Sequence, residues 1–174
     1  IPTRPNVDSL TTTRLELIPL DEAQLALAAS DWQALEATLG LAPGSHALSP
    51  PEKRAIASKR RKLAANPEAI GWLTYWLLVE RKNRQAAGMC GFKGMPAAGE
   101  VEVGYGTFPR HRGRGYMTEA LATLLSWALA EMTDLRVLAE TAPDNRPSQR
   151  VLEKVGFTRL REREASDAIW WVYE

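Results

Sequence analysis

The sequence predicts one α+β domain, a mixed and mostly antiparallel sheet of about seven strands flanked by helices. Three observations predict it. The 174 residues are 45% hydrophobic and 25% charged, the balance of a globular domain with a real core. β-rich runs and helical patterns follow in the order strand, helices, three strands, helix, strand, helix, two strands. No repeat, low-complexity tract or long linker divides the chain, so residues 1–174 read as a single domain.

Pro2, Pro5 and the polar residues up to Thr13 predict a loose N-terminal lead-in over 1–13, after which Arg14-Leu-Glu-Leu-Ile18 alternates as a first strand and Pro19 ends it. Asp21 caps a helix running to Ala29, and Asp31 a second one to Leu39, stopped by Gly40. Three prolines and a glycine make 42–51 a loop. Residues 52–65 form a mostly solvated amphipathic helix with six cations and apolar Ile56 and Leu63. Runs over 72–79, 86–92 and 100–108, separated by short polar or glycine-rich connections, predict a three-stranded antiparallel meander. Leu121, Leu124, Leu125, Ala128, Leu129 and Met132 fall at helical spacing and must lie on the sheet. A strand over 135–141, a helix over 147–155 stopped by Gly156, and a closing hairpin of 157–163 with 169–173 complete the order.

Composition excludes several classes. Lys and Arg number 22 against 21 Asp and Glu, which leaves no global field to hold nucleic acid or an anionic membrane. The cationic helix 52–65 lacks interleaved aromatics, so a solvated face explains it better than a nucleic-acid surface. The best apolar run, 70–79, is about half a membrane span. One cysteine, Cys90, forms no internal disulfide, and His46 and His111 stand too far apart in sequence for a zinc pattern, so no metal is expected. Without a signal-peptide pattern, the chain reads as a reduced, cytoplasmic protein.

The chemistry concentrates at Arg110-His-Arg112-Gly113-Arg114-Gly115, between a strand and the strongest helix. A strand that turns through glycines into a helix offers free backbone N–H groups at a positive helix end, a seat for pyrophosphate, and the arginines add charge. The P-loop pattern fails for want of Gly-Lys-Ser/Thr. The dinucleotide fingerprint fails twice, at Pro109 and at Thr118, and its parallel βαβ unit is missing.

This turn resembles the signature of the GNAT N-acetyltransferase superfamily, Arg/Gln-x-x-Gly-x-Gly/Ala opening a helix after the fourth strand. The block Asn145-Arg-Pro-Ser148 leading to Gly156-Phe157 resembles the family's Asn-x-x-Ser/Ala helix, and Glu102-Val-Gly104-Tyr105 and Gly115-Tyr-Met-Thr-Glu-Ala-Leu121 are similar too. The branch most alike contains the ribosomal-protein N-terminal acetyltransferases. The resemblance implies acetyl-CoA as donor, a fourth strand splayed from the fifth by a bulge, and pantetheine in the gap. It implies cofactor contacts at Phe108, Arg110, Arg112, Gly113, Arg114, Gly115, Tyr116, Asn145 and Ser148. Acceptors are a peptide or small-molecule amine, with no nucleic acid and no membrane as partner, and self-association into a homodimer stays open.

Transfer to an amine needs a proton acceptor, because an alkyl amine with pKa near 10.4 is neutral in roughly one molecule in a few thousand at pH 7. Glu102, on a strand running toward the glycine turn, is the first candidate for general base, with Glu140 and Glu100 as competitors. Gly104 and Gly106 suit a bulge whose backbone N–H would hold the thioester oxygen. Many relatives carry a proton-donating tyrosine seven residues after the asparagine; here that position is Leu152, and Ser148 is the alternative donor or a helix-capping residue. Cys90 within an apolar strand reads as a buried hydrophobe rather than a covalent carrier. A second class stays open beside the enzyme, a non-catalytic acyl-CoA-binding or regulatory module.

Overall fold

The computed structural model describes residues 7–44, 46–163 and 167–174; the first six residues of the expected lead-in and the tip of the closing hairpin lie outside the described residues. The strands are β1 (Leu10–Thr11), β2 (Leu15–Pro19), β3 (Trp76–Glu80), β4 (Gln85–Phe92), β5 (Glu100–Thr107), β6 (Arg136–Thr141), β7 (Thr158–Arg159) and β8 (Ile169–Tyr173). They form one sheet in the order β1-β2-β3-β4-β5-β6-β8-β7, in which β5 and β6 are the one parallel pair among the described residues. The helices are α1 (Glu22–Ser30), α2 (Trp32–Thr38), α3 (Pro50–Ala65), α4 (Ile70–Leu73), α5 (Tyr116–Glu131) and α6 (Arg146–Val155). The expected α+β architecture is present, with β1 added within the expected lead-in, where Leu10 pairs opposite Leu17.

Alternation along each strand sorts the core onto two faces. Trp76 and Leu78 join Leu121, Leu124 and Leu125 of α5 in one cluster, while Leu77 and Val79 join Leu25, Leu35 and Ile56 in the other. β3 is buried on both sides, which is why it reads as an unbroken apolar run. Each fully buried leucine contributes roughly 1.5–3 kcal/mol. The predicted capping residues act as such, Asp21 accepting from the Gln24 backbone N–H and Asp31 from that of Ala34, and Ser49, in the expected loop, closes a further capping box with Glu52 ahead of α3.

Two expectations about the helical segments need correction. Trp72 and Leu73 are helical rather than extended, because Pro67 opens a short 3-10 turn and Thr74 N–H closes α4 onto the Ile70 carbonyl. Gly71 is required there: a Cβ would lie 2.4 Å from the Trp127 ring. Helix α3 is also less solvated than its six cations suggest. Lys59 is buried and donates to the Phe92 carbonyl, Lys62 donates to the Lys93 carbonyl, and Arg60 pairs with Glu22.

The splay that positions the site is clear in the register. β5 pairs with β6 only over Glu100–Glu102, opposite 136–138, and from Val103 onward it is held by β4 alone. The expected bulge is not in β5, whose register with β4 is unbroken. The register shift lies between β3 and β4, where Ala87 is the extra residue opposite Leu78 and Val79. Among the described residues no helix is long and apolar enough to cross a membrane.

Candidate active site

A cleft of about 1180 Å³ opens where β5 has left β6. Its walls are the turn after β5 and the start of α6, and its far end is made by the segment between α2 and α3.

The turn has the backbone the glycines predict. Gly113 and Gly115 have φ of +74° and +76°, a left-handed conformation that costs an ordinary L-residue about 1–2 kcal/mol. Gly115 caps α5 with no side-chain acceptor, so the first N–H groups of the helix, from Tyr116 on, have no side-chain cap among the described residues. From behind, Arg14 donates to the Arg114 carbonyl at 2.8 Å, pairs with Glu119 at 2.7 Å and lies over the Tyr116 ring. The Tyr116 hydroxyl donates to Glu80 at 2.7 Å, and that bond holds the Glu80 carboxyl below its usual range. This bracing fixes the helix end while leaving its amides outward. Arg110, Arg112, Gly113, Gly115 and Tyr116 line the cleft; the Arg114 side chain does not. His111 is buried on the cleft wall, and burial followed by the charge of Arg114 pulls its imidazole below the usual value.

On the opposite wall, Asn145 caps α6 by accepting from the Ser148 N–H at 3.3 Å, and both residues line the cleft. Ser148 donates its hydroxyl to the Tyr105 phenolic oxygen at 2.8 Å, and Tyr105 donates to the Ser148 carbonyl at 3.1 Å. Burial pushes the Tyr105 phenol up to about 12, so it keeps its proton at neutral pH. Leu152 is fully buried in the core. Arg150 and Lys154, one helical turn apart, also face the cleft. The sequence reading passed over both cations, although their spacing after Asn145 was visible.

The candidate bases are elsewhere. Glu102 is ion-paired with Lys93, Glu100 is held by Arg136 and Arg163, and Glu140 is exposed on β6 opposite Trp170 of β8. None of the three lines the cleft. Cys90 is buried away from it, and burial pushes its thiol up to about 12. Trp72, Trp76, Trp170 and Trp171 do not line it either. The far end is instead built by Glu36, His46, Glu52 and Gln85, with Phe108 between them and the turn. His46 and His111, so far apart in sequence, share this one cleft.

Comparison with known proteins gives the family. Residues 14–158 match the family model described as acetyltransferase (GNAT) domain. The chain belongs to the GNAT N-acetyltransferase family. It is 33% identical over 166 residues, covering 94% of this chain and 96% of its relative, to the uncharacterized N-acetyltransferase YjdG of Bacillus subtilis (strain 168). Among solved structures, the acetyltransferase of Agrobacterium tumefaciens str. C58 matches with a TM-score of 0.65 at 23% identity, covering 97% of this chain and 95% of that one. The ribosomal-protein-S5-alanine acetyltransferase of Vibrio fischeri matches with a TM-score of 0.65 at 19% identity, covering 95% and 96%. A ribosomal L7/L12 alpha-N-protein acetyltransferase solved with coenzyme A matches with a TM-score of 0.63, also at 19%, covering 95% and 97%. The protein is therefore an acetyl-CoA-dependent N-acetyltransferase.

Proposed function

We propose that this GNAT enzyme moves the acetyl group of acetyl-CoA to a primary amine by direct attack within a ternary complex formed in the cleft. The observation that carries the reading is the placement, on facing walls of one cleft, of the left-handed glycine turn and the Ser148–Tyr105 hydroxyl pair.

The residues fit the donor. Backbone N–H groups of 113–117, the positive end of α5, and the guanidinium groups of Arg110 and Arg112 supply charge and donors for a pyrophosphate. Arg150 and Lys154 supply two more cations on the other wall. Asn145 keeps its side-chain N–H groups for pantetheine amides while its oxygen caps α6. Backbone N–H groups of β5 near Gly104–Gly106, beyond the last contact with β6, suit the thioester oxygen as negative charge develops on it.

Proton traffic falls to groups on the cleft wall. A thiol has a pKa near 8.5, so its thiolate leaves without a strong acid. The Ser148 hydroxyl turns from Tyr105 to the thiolate, gives it the proton and takes one back from the Tyr105 phenol, which draws its own from solvent. Thus Tyr105, from β5, supplies the phenol that Leu152 does not. Thiol release from acetyl-CoA in the presence of a panel of peptide and small amines tests the reading. Release that requires an amine is expected. Calorimetric binding of acetyl-CoA without release on any amine would leave an acyl-CoA-binding module in its place.

A further inference from the structure

The far end of the cleft holds a buried carboxylate that the fold does not use up. Glu36, on α2, is 3% exposed; its Oε1 accepts from the Trp32 indole and the Gly44 backbone, both at 2.9 Å. Its Oε2 has no partner among the described residues. A buried carboxylate oxygen left unpaired is costly, and a residue kept so at a cleft wall is matched to a cation that arrives. Beside it, the His46 ring stacks on Phe108 with centroids 3.5 Å apart and meets Trp32 edge-on, and its Nε2 is buried without a partner among the described residues. Glu52, from α3, has Oε2 tied to the Ser49 backbone and hydroxyl at 2.7 and 2.6 Å.

Charge divides the cleft. Arg110, Arg112, Arg150 and Lys154 line the donor side, where phosphates would balance them, while Glu36 and Glu52 bring two negative charges to the far end. A simple ammonium that has surrendered its proton would leave both carboxylates unmatched. An amine with another cationic group would not. Resting on the acetyl-transfer reading, we propose that Glu36, His46 and Glu52 form the acceptor subsite for a small primary amine carrying a second positive charge, with His46 Nε2 receiving the proton the ammonium sheds.

The proton count closes. R–NH3+ gives one proton to His46, which passes it to solvent. The neutral amine then forms the C–N bond at the thioester carbonyl. As the C–S bond breaks, the nitrogen loses its second proton to solvent, and the thiolate takes one from Ser148, which Tyr105 and then solvent replace, leaving amide and thiol with one proton released overall. The groups facing His46 suit this role. Burial lowers its imidazole and keeps it neutral, while Glu52 of α3 and Glu36 of α2 oppose that shift and stabilise the imidazolium once formed. Its ring neighbours among the described residues, Trp32 and Phe108, carry no charge.

The test uses spermidine and n-butylamine as probes on protein saturated with CoA, followed by calorimetry and by the His46 ring resonances. Spermidine should bind at least about tenfold more tightly and shift those resonances. Glu36→Gln keeps an acceptor for Trp32 and Gly44, and Glu52→Gln changes a different element; each should erase the preference while CoA affinity holds. His46→Gln should lower acetylation of spermidine about 10²-fold and abolish the rising limb of its pH–rate profile. Equal binding of the two amines, or an unchanged preference in both glutamine variants, would overturn the subsite, as would an intact pH limb in His46→Gln. Absence of CoA binding, or of thiol release with every amine, would instead sink the acetyl-transfer reading itself.

Discussion

Ser148 reaches Tyr105 across the splay, hydroxyl to phenolic oxygen at 2.8 Å, and so ties the first turn of α6 to the part of β5 that β6 no longer holds. The bond serves two ends. It keeps the walls of the cleft in register, and it places two hydroxyl groups at the gap where pantetheine would lie.

If that pair reprotonates the thiolate, Tyr105→Phe and Ser148→Ala should each reduce kcat by about 10–10²-fold. The acetyl-CoA KM should move less than kcat, because the phosphate turn is untouched. The double variant should lose little beyond the worse single one, since coupled residues act as one unit. Steady-state thiol release on the four proteins checks this. Additive losses would mean that the two hydroxyls work separately.

Gly115 combines a φ of +76° with the capping position of α5. Gly115→Val should weaken CoA binding by tenfold or more and cost about 1–2 kcal/mol of stability. Calorimetry and urea unfolding separate the two effects. An unchanged CoA affinity would remove the turn from the binding site.

The sequence carried the frame of the site and missed its far end, for a physical reason. The glycine turn, the Asn145 cap and the periodic face of α5 are local patterns that backbone geometry reads directly. Glu36 and His46 carry no such pattern; they matter because the segment between α2 and α3 folds over Phe108, a tertiary fact. Glu102 failed to reach the cleft for the converse reason. Its strand points toward the turn, but Lys93 on the neighbouring strand's extension takes its carboxylate. Trp72 and Leu73 read as strand because β-propensity was judged without the packing of Gly71 beneath Trp127.

Gly88 illustrates how closely β4 and β5 approach. A Cβ there would sit 2.6 Å from the Gly106 carbonyl oxygen, a backbone atom with no freedom to turn aside. Gly88→Ala should therefore push β5 off β4, costing about 1–3 kcal/mol and lowering acetyl-CoA affinity through the displaced turn. Gly106→Ala, with open space at its Cβ, should leave stability nearly unchanged. Melting temperatures of the two variants decide the matter, and equal losses would contradict the close approach.

Lys59 provides the pH test of the fold. It is buried, lies over the Tyr75 ring at 4.4 Å and donates to the Phe92 carbonyl at 2.6 Å. Burial, then the charge of Lys62, pulls its ammonium down to about 7 from a usual value of 10.5. Between those values the unfolded chain binds the proton that the folded chain has released, so stability rises with pH across that window and is lowest below it. From pH 7 to 9.5 the rise from this one group is on the order of 2–3 kcal/mol. Lys59→Met keeps the length of the side chain and removes the charge. It should flatten the rise seen between pH 7 and 9.5 by urea unfolding, and the variant should be the more stable protein at pH 7 unless the orphaned Phe92 carbonyl offsets the gain. An equal slope in both proteins would show that Lys59 stays charged in the fold throughout the window.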